Sequence, residues 1–407
     1  MISTKSNKIN IVIFTIYFPP VISIASYRLE AFAKYLDKEK FNITIICPKT
    51  ENDEDFKEIS SINVIRLNNR PHILKVKFSN KDSFLIHKFK ALYNHIFNYF
   101  VPDEYKNWRE KAIKIFKETE NLQKADIVIS SFPTVAPHLV ALKLKKEGAG
   151  FKWIADMRDE MSQNPFINSF VKKYLYKIEQ QIFSEANCIT TTTPSFVSDF
   201  SKLSAGKICV EEIRNGFDFE ITGDYNYNDI FTISHTGTFY SDIKPYTFLN
   251  AIASLKAENQ LSEIKIVFIG TGNTIVIHED LKGIVTTTSK IPHKLAVQRI
   301  KESDANLLVV PKSMSKAIQG KLYEYIASEK PVLALTEKDS EASKLINRCN
   351  AGFVADFNNI DEIKSIILKA YDLWKNRRRL KVDMDYFSQF HRKVQVKKLE
   401  KLILEKI

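Results

Sequence analysis

Glycine is scarce in this chain, with 11 in 407 residues against a usual share of about 7%. The first is Gly148, so residues 1–147 hold none. That absence excludes a glycine-rich phosphate loop after the first strand, and with it the P-loop and the dinucleotide fingerprint in the N-terminal half. Cysteine is rarer still. Cys47, Cys188, Cys209 and Cys349 have no CxxC spacing, and the first three lie in or beside apolar, strand-like runs. They read as small buried side chains in a reducing cytoplasm, not as a disulfide frame or a thiolate metal site. No run approaches the ~18 apolar residues of a spanning helix. The apolar stretch of MISTKSNKINIVIF has the wrong length for a signal peptide, so any membrane contact is expected to be peripheral. His72, His87, His95, His138, His235, His278, His293 and His391 show no HExxH or comparable ligand spacing. Asp53-Glu54-Asp55 lies in an acidic run and Asp383-Met384-Asp385 follows a helical stretch. Both read as solvated surface, so no metal is expected.

What is present is an ordinary globular composition, 44% hydrophobic and 27% charged, long enough for two or three domains. Sixty Lys and Arg against 48 Asp and Glu leave a net charge of +12. A basic balance suits an anionic partner: nucleic acid, a phosphorylated substrate or acidic lipid. Short Ile- and Val-rich runs predict strands at 9–14, 42–47, 62–67, 126–130, 152–156, 188–192 and 208–213. Helical periodicity lies between them at 25–37, 104–120, 135–146 and 166–184. Continuous apolar strands alternating with amphipathic helices indicate a parallel sheet covered on both faces. After a linker-like stretch, 215–229, the pattern restarts, with strands at 231–236, 264–269, 283–286, 305–310 and 331–335 and helices at 246–258, 293–301, 316–328 and 341–347. The expected fold is α/β, two tandem doubly wound Rossmann-like domains facing a cleft. The domains are placed at 1–218 and 219–385, with a basic C-terminal helix, 386–407, returning toward the first domain across both.

The later glycines fall where such sheets bind ligands, at strand C-termini. Gly237 ends SHTG, Gly270 and Gly272 end VFIGTG, and Gly320 precedes KLYEYIAS. Bare backbone at a helix start suits phosphate, although each glycine alone is also what a tight turn requires. No complete GxGxxG occurs, since Ile275 stands at the third position. Lys321 and Glu324 are three apart on one helical face. A lysine there can hold a diphosphate, and a glutamate one turn on can accept both hydroxyls of a ribose. The plain alternative is an exposed surface pair.

With these residues in view, the chain resembles the GT-B glycosyltransferases of the large family 4 type, in the branch of bacterial surface-polysaccharide enzymes. The matching stretches are IVIFTIYFPP with Arg28, SSFPTVAPHL, KWIADMRDEM, CITTTTPSFVSDF, EEIRNGFD, SHTGTFYSDIKP, IKIVFIGTG, residues 291–310, and GKLYEYIASEKPVLAL. The resemblance implies a nucleotide-sugar donor held mainly by the second domain and an acceptor held by the first. Glu324 matches the glutamate that binds the donor ribose, Lys244 the lysine of a diphosphate clamp, and Gly237 the glycine opening that loop. With them on the donor side go Thr238, Gly270, His293, Gly320 and Lys321. Arg158 and Asp159 occupy the loop facing the reacting sugar, and Asp156 or Asp159 would orient the acceptor unless it serves as a structural cap. His138 and His293 match positions common in the family, where a helix-start role competes with a catalytic one.

Three departures stand out. Thr238 replaces an arginine that often follows the glycine, so either the clamp is weaker or Lys321 takes the arginine's place. Lys316 stands where an earlier glutamate is often found, eight positions before Glu324. The loop after Phe14 reads PPVISIAS, and only the amides of Ser23 to Ser26 would approach phosphate.

The function so implied is transfer of a hexose or related sugar from a nucleotide donor to a glycan or lipid-linked acceptor. The reaction would be metal-independent and retaining, with the departing diphosphate helping to deprotonate the acceptor. The enzyme would need no cofactor and would work in the cytoplasm or at the inner membrane face. Two other readings remain at this point: a catalytically silent scaffold of the same fold, suggested by Thr238 and Lys316, and a basic nucleic-acid binder, for which no module signature appears. Residues 73–100 combine Lys75, Lys77, Lys81, Lys88 and Lys90 with seven aromatics and one acid, Asp82. Such a face suits anionic lipid, or equally a helix with buried aromatics and solvated lysines. The run Lys375, Arg377, Arg378, Arg379 and Lys381 allows the same two readings.

Overall fold

The computed structural model describes residues 8–51, 53, 62–69, 86, 89, 104–221, 225–239, 244–272 and 275–407. The chain divides into two compact units: Met1–Ile213 with Val396–Ile407, and Arg214–Gln395. The unit boundaries lie at 213/214 and 395/396, not at 218/219 and 385/386. The reason is local packing. Phe217 stacks on Phe387 with ring centroids 5.0 Å apart. Its N–H donates to Phe390 O at 3.2 Å, and the Arg392 N–H donates back to Phe217 O at 2.9 Å. Gly216 permits this approach, because a Cβ there would stand 2.0 Å from Phe390 O.

Among the described residues the first unit holds seven parallel strands: β1 (Ile9–Phe14), β2 (Phe41–Pro48), β3 (Ile62–Leu67), β4 (Ile127–Ser131), β5 (Lys152–Asp156), β6 (Cys188–Thr191) and β7 (Cys209–Glu212). Their order is β3-β2-β1-β4-β5-β6-β7. The connecting helices are α1 (Ile24–Tyr35), α2 (Lys106–Glu118), α3 (Glu120–Gln123), α4 (Ala136–Lys146), α5 (Ser169–Glu185) and α6 (Pro194–Leu203). Side-chain caps set three of the helix starts: Ser23 accepts from Ser26 N, Asn168 from Val171 N and Thr193 from Phe196 N. Ile11, Ile13, Ile43, Ile45, Ile129 and Ile154 form the core of the sheet.

Val396, Leu399, Leu402 and Ile403 of the last helix enter that same core. Leu399 is fully buried. Leu399→Ala should therefore destabilise the first unit by about 2–5 kcal/mol, read as a lowered denaturant midpoint. A wild-type midpoint would mean that this helix contributes nothing to the core.

Among the described residues the second unit has six parallel strands: β8 (Phe231–Thr236), β9 (Ile264–Ile269), β10 (Val285–Thr288), β11 (Ala305–Val309), β12 (Val332–Leu335) and β13 (Gly352–Ala355). Their order is β10-β9-β8-β11-β12-β13. The remaining helices are α7 (Tyr246–Ala257), α8 (His293–Glu302), α9 (Gly320–Ala327), α10 (Glu341–Cys349), α11 (Ile360–Lys375), α12 (Met384–Phe387) and α13 (Arg392–Lys406). In each unit the strand order reverses direction beside the central strand, between β1 and β4 and between β8 and β11. Doubly wound sheets receive ligands at the C-terminal ends of the strands flanking such a point.

Three elements lie outside the sequence expectation, α3, α6 and β13, and α9 begins at Gly320, not at 316. The terminal stretch 360–407 is almost wholly helical in pattern with an interruption near Asp383–Asp385; the structure breaks it earlier, after Lys375, and Arg377 adopts a left-handed backbone with φ 51°. Among the described residues no helix is long and apolar enough to cross a membrane.

Candidate functional site

A polar cluster of the second unit gathers at its switch point. β8 delivers His235 and then Gly237, β9 delivers Gly270, and α9 follows β11. Backbone bonds fold the two turns back onto the sheet: Gly237 N–H donates to Ile269 O at 2.8 Å, and Gly270 N–H to Thr288 O at 3.0 Å. Thr238 Oγ1 donates to Gly270 O at 3.1 Å, so this hydroxyl ties one turn to the other. Helix α9 is pinned at both strands. Gln319 Nε2 donates to Val309 O at 3.1 Å, and the Tyr325 hydroxyl accepts from Thr236 N at 2.8 Å. Gly320 is buried at the helix start, where unpaired amides and the helix dipole favour negative charge.

Lys321 turns inward from the first turn of α9. Its Nζ lies against Gly237, where a Cβ would stand only 2.8 Å away, and 3.4 Å from His235 Nε2. Gly237 has φ 113°, a backbone few side chains adopt. Lost hydration lowers the Lys321 pKa to about 8, with the Glu324 charge opposing the shift. Glu324, one turn on, is 6% exposed, and its Oε1 lies 2.6 Å from His293 Nε2 at the start of α8. Thus Gly237, Lys321, Glu324 and His293 form one connected group, with Thr238, Gly270 and Gly320 framing it. His235 is the member that the sequence reading passed over. Lys244 is partly buried two residues ahead of α7, and its clamp role rests on the resemblance.

The first unit's expected residues separate into two kinds. Asp156, at the end of β5, is fully buried. Arg28 donates to it from Nε at 3.1 Å and Nη2 at 2.7 Å, and Ser131 and Thr190 hydroxyls donate at 2.8 Å each. Burial alone would raise its pKa, but Arg28, Arg158 and Ser131 hold it below the usual carboxylate range. Four donors occupy the carboxylate, so Asp156 forms a core ion pair with Arg28, in line with the structural alternative to a role on substrate.

His138 is likewise interior. The Ser130 hydroxyl, already accepting from Trp153 Nε1 at 2.8 Å, lies 2.6 Å from His138 Nδ1. Burial lowers the His138 pKa to about 4, so it is neutral near pH 7 and supports the start of α4. Its Nε2 is buried without a hydrogen-bond partner, so the bond to Ser130 accounts for one ring nitrogen and the helix-start role, and a catalytic role remains a proposal. Arg158 and Asp159 differ. Arg158 is 5% exposed, its Nε and Nη1 have no hydrogen-bond partner, and its Nη2 lies 3.7 Å from the half-exposed Asp159 carboxylate. That loop carries cationic donors near the end of the sheet.

The other sequence features resolve as follows. Asp53 pairs with Arg66 at 3.1 Å. Asp383 caps α12 and pairs with Arg348 at 2.8 Å. Among the described residues no three His, Cys, Asp or Glu side chains are grouped as a metal ion requires. In the basic C-terminal run, Arg377 lies over Trp374 and Tyr227, Arg379 over Tyr225, and Arg378 pairs with Asp372. Lys75, Lys77, Lys81, Lys88 and Lys90 lie outside the described residues.

By sequence the chain matches no family model and no curated protein. Its fold is that of known glycosyltransferases. A sucrose-phosphate synthase from Thermosynechococcus elongatus superposes with a TM-score of 0.72 at 13% identity, covering 98% of this chain and 99% of that one. HepE from Anabaena, solved in complex with UDP-glucose, gives 0.66 at 13% identity over 97% and 99%. An α,α-trehalose-phosphate synthase from Burkholderia xenovorans, in complex with glucose-6-phosphate, gives 0.62 at 9% identity over 97% and 99%. These likenesses show a GT-B type of fold, with two Rossmann-like units in tandem.

Proposed function

We propose that this chain is a glycosyltransferase that takes a sugar from a nucleotide-sugar donor and transfers it to a glycan, sugar-phosphate or lipid-linked acceptor. The observation that carries the reading is the Lys321 ammonium held over the bare backbone of Gly237, one helical turn from the Glu324–His293 pair, at the switch point of the second sheet. Breaking the bond between a sugar and a nucleoside diphosphate leaves negative charge on the diphosphate. A cation in a dry, preorganised site beside a helix N-terminus stabilises that charge as it forms. Glu324 is placed to accept the ribose hydroxyls, with His293 fixing its carboxylate.

The fold neighbours support a nucleotide-sugar donor, since HepE was solved with UDP-glucose, and a phosphorylated acceptor, since the trehalose-phosphate synthase was solved with glucose-6-phosphate. The Arg158–Asp159 loop is the part of the first unit suited to an acceptor. Retention of configuration, independence from metal and a place in bacterial surface-polysaccharide synthesis at the inner membrane face complete the reading by resemblance.

A thermal-shift screen of nucleotide sugars tests it, because a ligand at 100 times its Kd stabilises by about 2.7 kcal/mol. Glu324→Gln should weaken binding of the stabilising donor by roughly 10- to 100-fold. Wild-type affinity in that variant would remove Glu324 from the site.

A further inference from the structure

His235 faces inward from β8, in the alternation that also puts Phe231 and Ile233 in the core. An apolar residue is expected in that slot. We propose that His235 is a positioning residue for Lys321, its imidazole holding the ammonium over Gly237 where the donor diphosphate is received; this rests on the function proposed above.

Three features fix the ring. His235 Nδ1 lies 2.9 Å from Leu307 O on β11. A carbonyl only accepts, so the proton sits on Nδ1 and the bond spans the switch point. Nε2 is then left with a lone pair, directed at Lys321 Nζ 3.4 Å away. Phe239 stacks on the imidazole with centroids 4.2 Å apart and planes 14° from parallel, and Phe268 meets it edge-on at 89°.

Burial, and then the Lys321 charge, keep the His235 pKa well below its usual value. The ring therefore stays neutral and accepting across the working pH range. The charged and titratable groups facing Lys321 are His235 from β8 and Glu324 from α9, with His293 from α8 behind the glutamate. Without the imidazole, a lysine with four rotatable bonds at a helix start loses the acceptor aimed at it from β8 and keeps only the pull of the Glu324 charge.

The test uses the full chain and isothermal titration with UDP, GDP and uridine between pH 6.5 and 9.5, on the wild type, His235→Phe and His235→Gln. The wild type should bind one of the diphosphates with an affinity that falls as pH rises above about 8, because binding favours the ammonium. His235→Phe keeps the ring stack but loses both nitrogens. It should bind that diphosphate roughly ten-fold more weakly at pH 7.5, with the pH midpoint moved down and uridine binding unchanged. His235→Gln retains an acceptor for Nζ, and it should hold the midpoint near that of the wild type.

If neither diphosphate binds the wild type, the functional reading fails and this proposal goes with it. If the wild type binds while His235→Phe matches it in affinity and midpoint, only the positioning role is overturned. An equal loss for uridine also overturns it, since that marks general collapse of the site. Should His235→Phe fail to fold, His235→Gln decides alone: a midpoint kept near 8 supports the role, and a lowered one overturns it.

Discussion

Lys321→Met should lower kcat/KM for the nucleotide sugar by roughly a hundred- to a thousand-fold, the loss typical of removing one preorganised group that meets developing charge. The effect is large because of where the ammonium sits. It is partly buried against Gly237 and His235, and the hydration lost there makes its attraction for a departing diphosphate worth more than in bulk solvent. The same burial sets the pH response. With a pKa of about 8 in the free protein, Lys321 is charged below that value and loses its proton above it. Donor binding should be flat below pH 8 and weaken on the alkaline side, and this limb should vanish in Lys321→Met. Gly237→Ala should reproduce part of the loss, because its Cβ would stand 2.8 Å from Nζ on a backbone at φ 113°. Wild-type turnover by Lys321→Met, with the alkaline limb intact, would show that the lysine does not meet the donor.

Asp156→Asn should destabilise the first unit by about 3–5 kcal/mol, the cost of leaving one partner of a buried ion pair unmatched. Arg28, 2% exposed, would keep its Nη1 bond to Ile213 O at 2.7 Å but face a neutral amide. The pH dependence has a definite sign. Asp156 is held below its usual pKa by Arg28, Arg158 and Ser131, against the opposing effect of burial. Its contribution is therefore complete above the unfolded value of about 3.9 and is lost as pH falls through the folded value. The asparagine variant should be weaker at neutral pH and lose less on acidification. Chemical denaturation at pH 7 and at about pH 3, below the unfolded value, reads both effects, and equal stability at pH 7 would deny the pair its structural part.

Most strands were legible because parallel strands buried on both faces are nearly uninterrupted Ile and Val. β1, β3, β5, β8 and β9 lie at the expected residues. β13 was missed because Gly-Phe-Val-Ala is too short to stand out from a turn. α6 was missed although its signal was present: Thr193 as cap and Pro194 in the first turn. At the site, Lys321, Glu324 and His293 were recognised as residue types at helix starts, and the fold brings them together. The Lys321–Gly237 approach joins positions 84 apart, and no local pattern encodes it. The internal bonds of Asp156 and His138 were hidden for the same reason. Their partners, Arg28 and Ser130, are contributed by other elements, and a polar residue at a strand end looks alike whether it meets substrate or a neighbour. His235 did leave a trace, as a polar side chain in a slot that strand alternation reserves for the core.

The last helix bears on the order in which the molecule can be made. The second unit is continuous, 214–395, while the first is completed only by Val396–Ile407. On a ribosome, the N-terminal sheet emerges early yet stays open along one side of its apolar interior until the entire inserted unit has followed. The inserted unit has every residue it needs before that closure, so it is free to reach its native state first, the reverse of the usual N-to-C sequence of domain folding.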